Sequence, residues 1–322
     1  MNSSFVEGIP LDPVNIQILL STYNGETYIE EQLQSLISQQ DVHVQILARD
    51  DGSTDSTVHK LEAFKKLYPG QIEILKGNNQ GVIRSFFELI NKAGHEFSYY
   101  AFCDQDDVWK PDKLARAIKR LQECKRDQLL MYSSTTQMVD EHLNPIKVWP
   151  EPPTKPLSVH NALIENVCVG CTVVINSETL EMVKNNMPRN INNVIMHDWW
   201  IYLCVSSFGE VVFDSETSIL YRQHQSNVLG GASDGWLSKW RKRLNRFING
   251  KNHFILSKQA HEFIGTFGSR LPQKHYQDIT DFLRCYDKGL AGRIRHMIRA
   301  PFYRQSFMDN LIYKFVFIIK KL

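Results

Sequence analysis

The chain has 322 residues, 43% hydrophobic and 22% charged, an ordinary globular composition long enough for one large domain or a domain with an appendage. No stretch approaches the ~20 apolar residues that span a bilayer, and Met1–Asp12 lacks the basic start and apolar core of a signal peptide. The net charge of +2 hides an asymmetry: from Trp236 onward there are 18 Lys/Arg and 5 Asp/Glu, net +13, while the preceding segment is net −11. Such a division points to a basic surface for nucleic acid or anionic membrane.

Residues 15–21 read as a short buried strand, and Thr22-Tyr23-Asn24-Gly25 turns the chain. Ile29, Leu33, Leu36 and Ile37 then recur at helical spacing, predicting a helix over 26–39. A second strand, 42–48, ends in Asp50-Asp51-Gly52-Ser53-Thr54-Asp55. There Ser53 or Thr54 is placed to cap a helix whose apolar face is Val58, Leu61, Phe64 and Leu67. A third strand follows at 71–75, then the turn Asn78–Gly81, then a helical face of Val82, Phe86, Leu89 and Ile90.

The fourth strand, Tyr99–Phe102, delivers Asp104-Gln105-Asp106-Asp107. A strand ending in clustered carboxylates suits a hard divalent cation such as Mg²⁺ or Mn²⁺. Alone, the cluster reads equally as a solvated acidic turn, with Asp107 capping or bracing it. Alternating strands and helices with short connections predict an α/β fold, a mainly parallel sheet with helices on both faces. The turns after strands one, two and four then share one rim, where ligands of such sheets bind.

A helix over 111–124 leads to a strand at 129–132. The prolines between 145 and 156 predict an irregular loop over the site. A strand at 170–175, a helix capped by Ser177, the run Met196-His197-Asp198-Trp199-Trp200, and short strands at 211–213 and 218–221 follow. Cys168 and Cys171 have CxxC spacing without a second pair, so all six cysteines are expected to be reduced, structural thiols, as in a cytoplasmic protein. Between Trp236 and Ile248, apolar residues at helical spacing interleave with Lys/Arg, a basic amphipathic pattern of the membrane-surface type. Residues 293–322 repeat it, ending in the apolar run Phe315–Ile319.

Taken together, Leu-Ser-Thr-Tyr-Asn-Gly at 20–25, Asp-Asp-Gly-Ser-Thr-Asp at 50–55, Asn79-Gln80-Gly81, Asp-Gln-Asp-Asp at 104–107, His197-Asp198 and Tyr221-Arg222-Gln223-His224 resemble the family-2 inverting glycosyltransferases with the GT-A fold. The likeness covers roughly 14–230, and its detail looks like the bacterial rhamnosyltransferase-like branch of cell-surface polysaccharide assembly. It implies a catalytic domain over 1–235 and a basic helical region over 236–322. It implies Asp106 and His224 as metal ligands for Mn²⁺ or Mg²⁺, and Asp104 near the donor ribose or sugar. Asp51, with Asp50, would read the pyrimidine edge; Thr22, Tyr23 and Glu26 would lie at base and ribose, and Arg84 at phosphate. Asp198 would be the catalytic base, with Trp199 and Trp200 at the acceptor, although at least one of them reads as core. Arg222 reads better as a structural ion pair.

The resemblance further implies a dTDP- or UDP-sugar donor, with dTDP-rhamnose favoured and a UDP-hexose as rival. It also implies a lipid-linked saccharide acceptor, work at the inner face of the cytoplasmic membrane, and no nucleic acid. A catalytically inactive carbohydrate-binding relative is the alternative, although both Asp106 and Asp198 are retained. A nicotinamide dehydrogenase is excluded because the first turn lacks G-x-G-x-x-G. A nucleotidyltransferase is excluded because that turn is neither glycine-rich nor basic.

Overall fold

The computed structural model describes residues 14–125, 127–224 and 254–321. The N-terminal segment, Gln225–Asn227 and the basic stretch from Trp236 to Ile248 lie outside the described residues. In chain order the first half comprises β1 (Val14–Thr22), α1 (Ile29–Ile37), β2 (Val42–Asp50), α2 (Thr57–Leu67), β3 (Ile72–Lys76), α3 (Val82–Lys92), β4 (Tyr99–Cys103), β5 (Val108–Trp109) and α4 (Lys113–Gln122). Then come β6 (Leu130–Ser134), β7 (Thr136–Val139), β8 (Pro145–Trp149), α5 (Val159–Ala162), β9 (Val174–Asn176), α6 (Ser177–Lys184), α7 (His197–Phe208), β10 (Glu210–Asp214) and β11 (Ile219–Arg222). Four helices end the chain: α8 (Ile255–Phe267), α9 (Gln273–Tyr286), α10 (Leu290–Arg299) and α11 (Phe307–Ile318).

The main sheet runs β10-β6-β9-β4-β1-β2-β3. Its β4-β1-β2-β3 half is parallel, and β9 enters antiparallel to both β4 and β6. Alternate side chains of each strand point to opposite faces. Ile18, Leu20, Ile46 and Ala48 pack under α1, α2 and α4, while Leu19, Leu47 and Phe102 pack under α3, α7 and the C-terminal helices. The sheet is thus covered on both faces, as the strand–helix alternation predicts. Phe263, Phe282 and Phe317, from α8, α9 and α11, share one apolar cluster with Phe86 and Trp200. Among the described residues no helix is long and apolar enough to cross a membrane.

Several local expectations are corrected. Neither Ser53 nor Thr54 caps α2, which begins only at Thr57; both are drawn into bonds with the β1–α1 loop. Leu67, the last residue of α2, is exposed instead of joining the buried face of Leu61 and Phe64. Asn176, not Ser177, caps α6 by accepting from the Thr179 amide. Residues 170–172 form a single 3-10 turn, and the strand starts at Val174. The proline-rich stretch begins as an ordered strand, since β8 pairs antiparallel with β7 in a second sheet of order β5-β11-β7-β8. A proline at the first position of an edge strand costs no ladder hydrogen bond.

Candidate active site

Strand register sets the rim. Thr22, at the end of β1, pairs with Asp50 at the end of β2, and Leu20 pairs with Cys103 at the end of β4. The three polar turns therefore emerge side by side, as expected for parallel neighbours.

The first two turns are sewn together. The Asn24 and Gly25 amides donate to Ser53 Oγ and Thr57 Oγ1, and the Glu26 amide donates to Asp55 Oδ2. In return the Thr54 amide donates to Asn24 Oδ1 and the Ser56 amide to Glu26 Oε2. Gln105, to which the sequence reading gave no role, ties in the third turn. Its amide accepts from the Tyr23 N–H at 2.7 Å and donates to the Tyr23 carbonyl at 3.0 Å. A Cβ on Gly25 would stand 2.3 Å from Gln105 Oε1, so a larger residue there would displace the Gln105 amide from Tyr23.

Asp50 and Asp51 are both 3% exposed and mainly serve the chain itself. Asp50 accepts from the Gly52 and Ser53 amides, Ser53 Oγ and Thr22 Oγ1, which makes it a brace of its own turn. Asp51 accepts from Arg49 Nη1 at 2.6 Å and from the Gln80 and Gly81 amides. A carboxylate offers about four lone-pair directions, so one remains on Asp51 for a ligand. Tyr23 is exposed on the rim. Arg84 Nη2 donates to Asn192 Oδ1 at 2.9 Å, six residues before Asp198.

The acidic cluster is completed from far along the sequence. β5, directly after it, pairs antiparallel with β11, setting Leu220 against Val108. Two residues beyond, the Arg222 amide donates to Asp107 Oδ1 at 3.0 Å, and His224 Nε2 lies 2.8 Å from Asp106 Oδ2. Asp107 is thereby a brace, the role its buried position allows. Arg222 is structural: its guanidinium bonds Glu31 and the Asp106 and Glu141 carbonyls, and it lies 4.5 Å over the Tyr28 ring.

Burial, with Asp106 and Asp198 adding repulsion, pushes the Asp104 carboxyl up to about 7. Crowded carboxylates of this kind are what a bound cation relieves. Asp106 and His224, 2.8 Å apart, offer oxygen and nitrogen donors fit for Mn²⁺ or Mg²⁺. A second grouping, Asp104, Asp107 and Cys171, has donor atoms within 4.8 Å of one another. It fits such an ion poorly, because sulfur is a soft donor and Mn²⁺ and Mg²⁺ prefer oxygen. Cys168 and Cys171 are free and buried, as expected. Behind the cluster Lys113 is fully buried, its Nζ 3.2 Å from the Trp109 ring centroid, and burial lowers it to about 7.

Asp198 opens α7 at the same rim. Its Oδ2 accepts from Asn166 Nδ2 at 3.1 Å and its Oδ1 from the Trp199 amide at 2.7 Å. Burial outweighs these bonds and raises the carboxyl to about 6. A Cβ on Gly170 would come within 3.2 Å of Oδ2. Asn166 and Gly170 were not singled out from the sequence, where nothing links them to a residue some thirty positions on. His197 stacks on Phe86 at 3.8 Å, and burial lowers it to about 3, so it is neutral core.

Trp200 is not an acceptor wall. It is fully buried against Phe263 and Phe267, because α7 is buried on nearly all sides. Trp199 is half-buried, its indole N–H donating to the Ala162 carbonyl.

The family model described as Glycosyl transferase family 2 matches residues 17–183. The chain belongs to that family. It is 34% identical over 228 residues to a protein named dTDP-rhamnosyl transferase RfbG from Shigella flexneri, covering 66% of this chain and 73% of RfbG. In fold it is similar to S. aureus TarS, solved with UDP-GlcNAc, at TM-score 0.57 and 16% identity over 89% of this chain and 74% of that one. It is likewise similar to the mannosyltransferase PcManGT from Pyrobaculum calidifontis, solved with GDP-Man and Mn²⁺, at TM-score 0.53 and 12% identity over 90% and 77% of the two chains. The fold is GT-A, as the motif resemblance implies.

Proposed function

We propose that this glycosyltransferase moves L-rhamnose from dTDP-rhamnose, with inversion, onto a lipid-linked saccharide of a bacterial surface polysaccharide, at the inner face of the cytoplasmic membrane. The observation that carries the chemistry is the meeting of Asp198 with the acidic cluster: its Oδ2 lies against Gly170, and the next residue, Cys171, has its thiol within 4.8 Å of carboxylate oxygens of Asp104 and Asp107. A base and a leaving-group site that close suit a single displacement. Asp198, held at about 6 by burial, is ionised at neutral pH and takes the proton from the acceptor hydroxyl as that oxygen attacks C1. Asn166 and the Trp199 amide aim the carboxylate. Asp106 and His224 would hold a divalent cation, with Asp104 toward the donor ribose or sugar; bound there, the cation supplies Lewis-acid neutralisation of the departing diphosphate. Tyr23, Thr22 and Glu26 border the nucleoside, and Asp51 offers its remaining lone pair to the ring N–H of thymine or uracil.

The name of RfbG favours dTDP-rhamnose. A UDP-hexose is the second reading, favoured by the fold shared with TarS, which is solved with UDP-GlcNAc. Donor hydrolysis across dTDP- and UDP-sugars, with Mn²⁺ or Mg²⁺ and repeated for Asp106→Ala and Asp198→Ala, tests the proposal. Turnover of dTDP-rhamnose lost in both variants is expected. A chain that neither turns over nor binds any nucleotide sugar would be the inactive relative.

A further inference from the structure

The helices α10 and α11 each carry two apolar faces. Inward, Met297, Tyr313 and Phe317 are buried, with Phe317 against Phe282, Tyr286 and His296. Outward, Leu290, Ile294 and Ile298 recur every fourth residue along α10, and Phe307, Leu311 and Phe315 do so along α11. Ile298 is 78% exposed and Phe307 71%. An ordinary surface helix turns one apolar stripe inward and keeps the other side polar. Of the fourteen large hydrophobic side chains exposed among the described residues, eight fall between 290 and 319. The apolar run at the chain end is only partly what its sequence suggests, since Phe317 is core and Phe315 and Ile319 face out.

The same stretch is strongly basic. Residues 290–321 hold seven Lys/Arg and one acidic residue, Asp309. Arg293 ties α10 to α11 through the Ile318 carbonyl. Arg295 and Arg299 are exposed at a groove that Lys288, His296, Asp278 and Asp281 also line. A second copy of the chain would bring one basic surface against another, whereas interface cores are depleted of charge. Apolar stripes bordered by Lys/Arg instead match acyl chains bordered by phosphate.

We infer that the outward face of α10 and α11 seats on an anionic phospholipid surface, with the stripes at the acyl boundary and the basic side chains among the headgroups. The inference rests on the membrane part of the proposed function and deepens it by naming the face. The test is flotation of the full chain with phosphatidylglycerol–phosphatidylethanolamine vesicles and with phosphatidylcholine vesicles. The variants are Ile298→Glu/Phe315→Glu and Arg295→Gln/Arg299→Gln; all four side chains lie outside the buried core.

The unsubstituted chain floats with the anionic vesicles. The glutamate pair lowers the bound fraction about tenfold, because two large apolar groups no longer enter the lipid. The glutamine pair weakens anionic binding and flattens its salt dependence. Donor hydrolysis in solution is unchanged in both variants. Undiminished flotation of the glutamate pair overturns the inference. So does equal binding to phosphatidylcholine, or a dimer that this pair splits while no lipid binds. Flotation as expected without hydrolysis of any donor would count against the enzymatic reading and leave the docking face standing.

Discussion

Asn166→Ala removes one hydrogen-bond donor from Asp198 and should move the acidic limb of the pH–rate profile. Asp198 accepts from Asn166 at 3.1 Å and from the Trp199 amide at 2.7 Å. Both bonds favour the ionised form; burial opposes them and leaves the carboxyl at about 6. A hydrogen bond to a charged group contributes roughly 1.5–3 kcal/mol, and one pKa unit corresponds to about 1.4 kcal/mol. The Asn166 bond is the longer of the two, so the low end applies and its loss raises Asp198 by about one unit. A base works ionised, so activity is lost as pH falls through its pKa. The limb in kcat/KM moves from about 6 to about 7, and at pH 6 the rate falls from about half to about a tenth of its plateau. Above about pH 8 little changes. Asn166 also accepts from the Cys168 amide, which Ala abandons. Asn166→Asp keeps that acceptor and sets a second carboxylate beside Asp198, so its limb should move further in the same direction. Initial rates of donor consumption with acceptor, from pH 5 to 9, read both shifts. Profiles that superimpose on the parent's, from folded variants, would refute the assignment of the limb to Asp198.

Gly25→Ala drives a methyl into Gln105 and should raise the donor KM about tenfold or more with a small change in unfolding temperature, because the loss lies in loop alignment; steady-state kinetics and thermal melts separate the two. Trp200→Ala empties a fully buried site and should cost about 3–5 kcal/mol of stability by denaturant titration. A variant equally stable but with altered acceptor KM would return Trp200 to the acceptor site. Arg222→Lys loses the planar fork that bonds Glu31 and two carbonyls, and should destabilise by about 3 kcal/mol while weakening Mn²⁺-dependent donor binding; calorimetry reads both. Chelation should abolish turnover and Mn²⁺ or Mg²⁺ restore it, whereas Cys168→Ser/Cys171→Ser should leave the metal requirement as it was.

The parts of the fold written in short-range patterns were legible. Short apolar runs bounded by polar residues gave β1, β2 and β4, because the sheet is covered on both faces, and period-3.6 faces gave α1 and α3, because each helix buries one side against the sheet. Parallel order then placed the turns after Thr22, Asp50 and Cys103 on one rim. What was hidden depends on partners far apart in sequence. Gln105 meets Tyr23 across 82 residues and Asn166 meets Asp198 across 32; an amide carries no sign of its partner. Trp199 and Trp200 could not be told apart because α7 is apolar nearly all round, so periodicity gave no direction. β8 was disguised by its flanking prolines, and the terminal run Phe315–Ile319 hid a core residue, Phe317, between two exposed ones.

The stitching of the first two turns has a consequence for how donor preference can change. Residues 24–26 and 53–57 exchange six hydrogen bonds, so they act as one mechanical part. Fixing a loop residue costs about 1–2 kcal/mol of backbone entropy, and here that cost is met during folding instead of at binding. A nucleotide bound there, as proposed, would meet a preformed seat, and its affinity would reflect contacts more than ordering. The same economy makes the seat hard to retune piecemeal. A substitution in one loop that recognises a new base must keep faith with the other loop's amides and hydroxyls, so a change of donor is expected to arrive as paired substitutions, one on each side of the seam.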